Sequence, residues 1–600
     1  MKFPYGIVDF RKIRRESYFY CDRTDKIPLL EEISNQLFIR PRRFGKSLLL
    51  SMLENYYDIL RKDEFDQLFG ELTIGTAPTP LRNSYLILRF DFSCVDASGD
   101  AQAMKKSLDG HISSCIEGFA MRYQDIGLAE ISIDANDALR SLESLVHAVA
   151  HAGQQIYLFI DEYDNFANEV MISAQTADDR YAALVHEAGP LKTLFKTLKA
   201  LTSSSVIDRM FLTGVSPIVL SDITSGYNIA ADIYLEPEFN DLCGFREEEL
   251  GKALTEIARQ CEYEPEKAQE AIEMARTWYK GYMFTATKGE QVYNPTLSLY
   301  FLQQFQKSGS FPRNMLDANL ATNESKLTYI AQLPEGRQLL MDLARQEHQV
   351  LIPDVSKRFG IQEMLSKASK DQTFLASFLY YFGVLTIGGE SEDLHLILQV
   401  PNLVVQGMYV DRIRQMLLPE PEERDQGRTA ARLVSQQGEM QPLCDFMEQH
   451  YFQVFHNRDY RGANELTIKT AFLTLLYNDL IYVMDSEPEL ERRYADLCML
   501  IRPDRRHGKV FDILIAFEFV PLHQIGLSEE KARTLSPAAL RVLPAIKQAL
   551  QNAAEQVEQY GDILEQKYDK LRLQRFAVVS LGFERLVFKK MEGAQAQIPS

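Results

Sequence analysis

Gly45-Lys46-Ser47 and Asp161-Glu162 are the residue types that handle a nucleoside triphosphate. A glycine followed by a lysine and a hydroxyl suits a phosphate loop. Backbone N–H groups cradle the anion, the ammonium reaches the outer phosphates and the Ser47 hydroxyl can ligate Mg²⁺. An acidic pair supplies the complement, with Asp161 beside the metal and Glu162 orienting or deprotonating a water. The full loop pattern wants a further glycine five residues before Gly45. Arg40 stands there instead, and Pro41 fixes φ next to it. The candidate ATP contacts are therefore Arg42, Arg43, Phe44, Gly45, Lys46, Ser47 and Leu48 in the loop, with Asp161 and Thr213 opposite. Arg40, Arg42 and Arg43 can bind phosphate, act in trans between subunits, or form a solvated basic turn.

These residues need particular elements to hold them. Leu37-Phe38-Ile39 predicts a short strand, and apolar spacing from Leu48 to about Leu60 predicts a helix. Ser84–Ser93 reads as a central strand and residues 101–152 as helices. Ile156 to Ile160 are continuously apolar and end in the acid pair, as a strand of a parallel sheet covered by helices requires. A third strand, Arg209–Val219, ends in Thr213, Gly214 and Ser216. Either hydroxyl can meet a γ-phosphate or an attacking water. Tyr18–Cys21 predicts a short aromatic strand. From about Phe239 the pattern turns helical, and the polar, proline-containing run Leu417–Arg432 marks a domain boundary.

From about Ser435 a compact α/β unit is expected: helix, β-meander, helix, strand. Glu465 on its first helix and Asp496 and Glu518 on its strands can converge on Mg²⁺ and activate water against a phosphodiester, or can simply be solvated acids. Gln556 and Tyr560 are four apart on the later helix and share a face.

Composition narrows the field. Six hundred residues exceed one core, so two to four domains are expected, and 46% hydrophobic with 25% charged residues is ordinary globular usage. Seven scattered cysteines without a CxxC pair predict a reduced, cytoplasmic protein without structural zinc. The first residues lack an apolar signal core and no run has the length of a membrane span, so no membrane partner is expected. A net charge of −19 argues against coating by nucleic acid. Residues 451–600 nevertheless carry 20 Lys/Arg against 20 Asp/Glu, which leaves that quarter free to approach a phosphate backbone.

Taken together, RPRRFGKS, LFIDEYDN, LTGVSPI, WYKGYMF with VYNP, and YADL, FEF and QVEQY resemble a bacterial family of AAA-ATPase-like proteins that carry a C-terminal nuclease domain of the PD-(D/E)xK superfamily. The resemblance implies an α/β fold in three parts: a P-loop AAA-like parallel sheet with helices over 1–238, a helical lid and linker over 239–434, and a restriction-endonuclease-like α/β domain over 435–600. It implies ATP and Mg²⁺ at Lys46, Ser47, Asp161 and Glu162. It makes Asp496 and Glu518 nuclease metal ligands, Glu465 an accessory acid, and Gln556 with Tyr560 a QxxxY-type motif. DNA is then the expected partner of the C-terminal domain, and a homo-oligomer is expected. One departure stands out. The family's Glu-x-Lys reads Glu518-Phe519-Val520 here, so the lysine that would position water and stabilise developing charge must come from elsewhere, Lys509 or Lys547, or be missing. A missing lysine gives an alternative: an ATP-driven oligomerisation switch whose C-terminal domain binds DNA or protein without cutting.

Overall fold

The structure, a computed structural model, describes residues 1–96, 101–165, 189–202, 205–217, 230–287, 289–316, 324–331, 333–343, 349–357, 371–455, 465–485, 489–490, 493–494, 497–568 and 571–591. They cluster into two compact units, residues 1–309 with 350–402 and residues 310–349 with 403–600.

In the first unit, strands β1 (Asn35–Ile39), β2 (Leu86–Asp91), β3 (Ile156–Asp161), β4 (Ile207–Gly214) and β5 (Ala231–Asp232) form one sheet in the order β2-β3-β4-β1-β5. Every pairing is parallel. β3 is buried along its whole length, as its apolar run requires of a sheet covered on both faces. β4 is inserted between β1 and β3, so the chain's two phosphate-handling motifs leave the sheet on either side of the tip of β4. Helix α1 (Lys46–Tyr57) follows β1 and packs on one face, where Tyr57 meets Tyr157 with ring centroids 5.0 Å apart. Phe159 and Phe211 share that face.

Tyr18–Cys21 is not a strand. Tyr20 packs edge-on against Phe10 at 5.3 Å, and Phe19 N–H donates to the Lys2 carbonyl. Its aromatic side chains are thus satisfied by packing on a neighbouring helix. The region after residue 239 is also not helical throughout. It contains the ribbon β6 (Lys280–Tyr282) with β7 (Val292–Tyr293), and a three-stranded sheet of β8 (Gln349–Ile352), β10 (Leu396–Gln399) and β9 (Thr386–Glu390) in that order. Residues 239–309 and 350–402 cluster with the parallel sheet, and 310–349 and 403–434 with the second unit.

The second unit holds a mixed sheet. After the short β11 (Tyr482–Asp485) comes a small ribbon, β12 (Glu489–Leu490) with β13 (Arg493–Tyr494). Then follow β14 (Leu497–Ile501), β15 (Asp512–Val520), β16 (Leu573–Leu581) and β17 (Arg585–Met591), with sheet order β11-β14-β15-β16-β17. β15 and β16 run parallel and the other neighbours antiparallel. Alternation along β15 sends Ile513, Ile515 and Phe517 to the face covered by helix α3 (Glu465–Leu476), with Phe472 against Phe517 at 4.9 Å. Leu514, Ala516 and Val520 turn to the other face, under helix α4 (Pro544–Lys567).

The polar run Leu417–Arg432 lies inside this unit, and most of it is helix α2 (Pro421–Gln437). Pro421 occupies the first turn, where its missing N–H costs nothing. Gly427, Ala430 and Val434 bury a narrow stripe. Among the described residues no helix is long and apolar enough to cross a membrane.

Candidate functional site

The phosphate loop leaves β1 and enters α1 through Gly45, whose φ of +94° is a left-handed conformation. No side chain caps this helix, so its first N–H groups remain available to an anion. Lys46 is buried, and its Nζ donates to the carbonyls of Arg40 at 2.9 Å and Pro41 at 3.1 Å. The ammonium is thereby held within the loop's own curve. Ser47, on the first turn, faces Asp161 across the gap to β3, near enough for its hydroxyl to help lower the carboxyl's pKa.

Asp161 is almost fully buried. Its Oδ1 accepts the Glu162 N–H at 3.1 Å, and its Oδ2 accepts from Arg89 at 3.0 Å. Burial pushes its carboxyl above the ordinary range, while Arg89, Ser47 and Lys46 pull it back. Burial raises Glu162 too, with Lys46 and Arg42 opposing. Glu162 has φ +50° and Arg43 φ +65°. Two non-glycine residues in the left-handed region, one in each motif, concentrate backbone strain at this spot.

Thr213 sits on β4 opposite Phe38 of β1, on the face shared with Phe211. Its hydroxyl is fully buried and, among the described residues, has no hydrogen-bond partner. A buried orphan donor at the strand tip between the two motifs suits an anionic oxygen. Ser216 has a different task. Its hydroxyl donates to Asp164 Oδ2 at 2.9 Å, and Asp164 also accepts the N–H groups of Ser216 at 2.8 Å and Val215 at 3.1 Å. Asp164 therefore ties the acidic turn after β3 to the end of β4, a role not visible from its place in the sequence.

Gly214 makes that tie possible, because a Cβ there would lie 2.6 Å from Asp164 Oδ1 and 2.7 Å from the Tyr163 ring. Gly214→Ala is expected to lower unfolding free energy by about 1–3 kcal/mol, the usual cost of overpacking. Gly118 is a control: it is exposed on the helix Ala101–Arg122, nothing lies within 4 Å of its Cβ position, and Gly118→Ala should be neutral or stabilising by about 0.5–1 kcal/mol. Equal urea midpoints for the two variants would refute the argument.

These arrangements bring the loop, the acid pair and Thr213 together at the C-terminal edge of one parallel sheet. Residues 4–224 match the family model described as Predicted AAA-ATPase. A protein of Azotobacter chroococcum mcd 1, described as an uncharacterized protein in the vnfD 5′ region, is 25% identical over 431 residues, spanning 70% of this chain and 71% of the relative. Two solved structures overlap loosely. The Walker-type ATPase PABY2304 of Pyrococcus abyssi has a TM-score of 0.35 at 15% identity, covering 66% of this chain and 97% of its own. The Aeropyrum pernix ORC1 protein, solved in complex with DNA, has a TM-score of 0.28 at 10% identity, covering 68% and 98%. Likeness this loose carries no functional information.

Within the AAA-ATPase-like segment, Arg40 is not a phosphate ligand. It is 1% exposed, and its guanidinium donates to the carbonyls of Ile39, Tyr234 and Phe239, each at 2.8 Å, while stacking on Phe284 at 4.0 Å. Burial without a carboxylate partner lowers its pKa to about 10. Where the loop pattern wants a glycine, this chain uses a long side chain as a peg. Phe44 is also internal, packed edge-on against Tyr282 at 4.9 Å and Phe284 at 5.3 Å. Arg42 and Arg43 remain half-exposed, although Arg43 Nη1 is buried without a partner among the described residues.

The motif WYKGYMF with VYNP thus forms the loop's back wall. Asn294 caps the helix Pro295–Ser308, and the Thr296 hydroxyl donates to the Arg43 carbonyl at 3.1 Å. Gly281, at φ +137°, allows close approach to Pro401, whose carbonyl oxygen a Cβ would overlap. Mg²⁺ fits the donor set of the sheet edge, since the Ser47 hydroxyl and the buried Asp161 carboxylate are both hard oxygens, with Ser47 near enough to lower the pKa of Asp161.

The second constellation is only partly gathered. Asp496 lies outside the described residues. Glu518 is half-buried on the face of β15 under α4, between the apolar cluster of Leu514, Ala516 and Tyr560 and that of Val520, Ile546 and Leu550. Glu465 begins α3, which covers the opposite face, and its Oε1 lies 3.5 Å from Lys469 Nζ. Tyr560 is buried in the α4 interface and Gln556 is half-buried one turn before it. Among the described residues no three His, Cys, Asp or Glu side chains gather as a metal site. Val520 is 7% exposed within its apolar cluster, so its side chain serves the sheet–helix core and does not face solvent as a water-positioning lysine would.

Proposed function

We propose that the chain binds ATP with Mg²⁺ at the C-terminal edge of the parallel sheet and hydrolyses it. The observation that carries this reading is the insertion of β4 between the phosphate-loop strand and the acidic strand, which brings Lys46, Ser47, Asp161, Glu162 and Thr213 to one edge. Ser47 and Asp161 would hold Mg²⁺, which when bound supplies charge neutralisation across the β- and γ-phosphates. Lys46, fixed by two loop carbonyls, offers its ammonium to the same oxygens. Thr213 offers a buried hydroxyl that has no competing partner among the described residues. Glu162 orients the attacking water and takes its proton, with a carboxyl raised by burial toward the range where a general base works well. Phosphate release from ATP in Mg²⁺, lost in excess EDTA, is the expected result. A chain that neither binds nor hydrolyses ATP overturns the reading.

For the second unit we propose action on nucleic acid governed by the nucleotide state of the first. The order from Glu465 to Leu581, helix α3, the sheet strands β11, β14 and β15, helix α4 and strand β16, supports the nuclease-like reading, as does a half-buried Glu518 facing α4. Lysine supply counts against cleavage. Lys509 precedes Asp512, the first residue of β15, so about 20 Å of strand separates it from Glu518 at about 3.3 Å per residue. Lys547 is exposed on α4 beside the buried Ile546. The burial of Val520 therefore favours a second reading, a switch that binds without cutting. Plasmid and single-stranded DNA incubated in Mg²⁺ or Mn²⁺, with and without ATP, decide between them. Cleavage that vanishes in Glu518→Ala establishes a nuclease, and no cleavage in any metal establishes the switch.

A further inference from the structure

Arg89 belongs to β2, a strand that carries no phosphate-handling motif, yet its guanidinium reaches into the site. Nη2 donates to Asp161 Oδ2 at 3.0 Å, Nη1 donates to Glu54 Oε1 on α1 at 3.1 Å, and Nη2 lies 3.8 Å from Asp91 Oδ2. The register explains the reach. β2 and β3 run parallel with Arg89 opposite Phe159 and Asp91 opposite Asp161, so an arginine two residues short of the strand end can lie along the ladder toward both acids.

Two consequences follow. Both oxygens of Asp161 already accept a hydrogen bond, Oδ1 from the Glu162 N–H and Oδ2 from Arg89, which fixes the carboxylate plane while each oxygen keeps a further lone pair for a ligand. Arg89 is also a cation set among three carboxylates: Glu54, Asp91 and Asp161. Their side chains are 20%, 34% and 2% exposed, so water screens their mutual repulsion poorly. Without the guanidinium, three poorly screened carboxylates would be left with no cation between them, and their summed field would draw a divalent cation to Asp161 even in the absence of phosphates.

We propose that Arg89 is a positioning residue that makes metal capture depend on nucleotide. It holds Asp161 in its ligating orientation and cancels the surplus acid charge, so the metal is bound well only with the phosphates that accompany it. This rests on the ATP reading above.

The test is Mn²⁺ binding by electron paramagnetic resonance, with the full chain alone and loaded with a non-hydrolysable ATP analogue. In the wild type, nucleotide is expected to tighten Mn²⁺ binding at least tenfold. In Arg89→Gln that ratio is expected to fall below about threefold, chiefly because Mn²⁺ now binds without nucleotide, and Arg89→Lys is expected to restore most of it. In steady-state assays Arg89→Gln should lower kcat at least tenfold while leaving KM for ATP within about threefold. An unchanged Mn²⁺ ratio in Arg89→Gln overturns this proposal alone. A wild-type chain that binds no nucleotide overturns the ATP reading and this proposal with it. If Arg89→Gln does not fold, the charge-balanced Arg89→Gln/Glu54→Gln chain carries the same test, because Asp91 and Asp161 then still lack the cation.

Discussion

Lys46→Ala is expected to reduce ATP turnover by about two to three orders of magnitude, the range for removing one preorganised donor from developing charge. Nucleotide affinity should fall by about tenfold or more, as for loss of a hydrogen bond to a charged partner. The fold should survive. Lys46 is buried at the expense of its own hydration, which lowers its pKa, and among the described residues it donates to the carbonyls of Arg40 and Pro41. Truncation removes that desolvation penalty along with two hydrogen bonds, and it leaves the peg Arg40 and the packed Phe44 in place. Calorimetric titration with ATP, phosphate release and a thermal melt separate these effects. Unchanged affinity and turnover would refute the phosphate-loop assignment. A large fall in melting temperature would show instead that the loop depends on the ammonium for its shape.

Why Arg40 and Lys46 read so differently in sequence and in space shows where sequence reasoning stops. The strand, turn and helix around Gly45, and the apolar strand ending at Asp161, are legible because local periodicity and a short motif specify them. Thr213 is legible as a polar strand end. Arg40 is not, because its partners Tyr234 and Phe239 lie nearly two hundred residues away, and in one dimension three clustered arginines look equally basic. Arg89 is hidden for a related reason: an arginine inside a strand gains meaning only once strand order puts that strand next to the acids. Asp164 is hidden because it works on the backbone of another strand. The run 417–432 misleads through its small residues. Gly427 and Ala430 carry a helical stripe that a scan for large apolar side chains does not register, and proline marks a helix start as readily as a linker. The chain's aromatic motifs behave in the opposite way. WYKGYMF and VYNP look like core pattern, yet Tyr282, Phe284 and Thr296 hold the phosphate loop from behind.

Glu162→Gln is expected to bind ATP as tightly as the wild type and to hydrolyse it about 10²- to 10⁴-fold more slowly, the contribution of a positioned general base. Glutamine keeps the size of the side chain and can adopt the same left-handed backbone, so binding geometry is preserved. The same substitution should raise thermal stability near neutral pH. Burial raises the folded-state pKa of Glu162 above its unfolded value, so between those two values the folded chain binds more protons than the unfolded one. Stability then falls as pH rises through that window, and the cost is fully present once the carboxyl has ionised. Glutamine never ionises, so its advantage should be largest at pH 7–8 and shrink toward pH 4. Melts across that range, beside single-turnover phosphate release, test both claims on one protein. Normal turnover would move the base elsewhere, and the geometry limits the choice. Asp164 already accepts from Val215 and Ser216, and both oxygens of Asp161 are engaged, so neither acid of the turn can replace Glu162 without breaking the tie that holds the strand ends together.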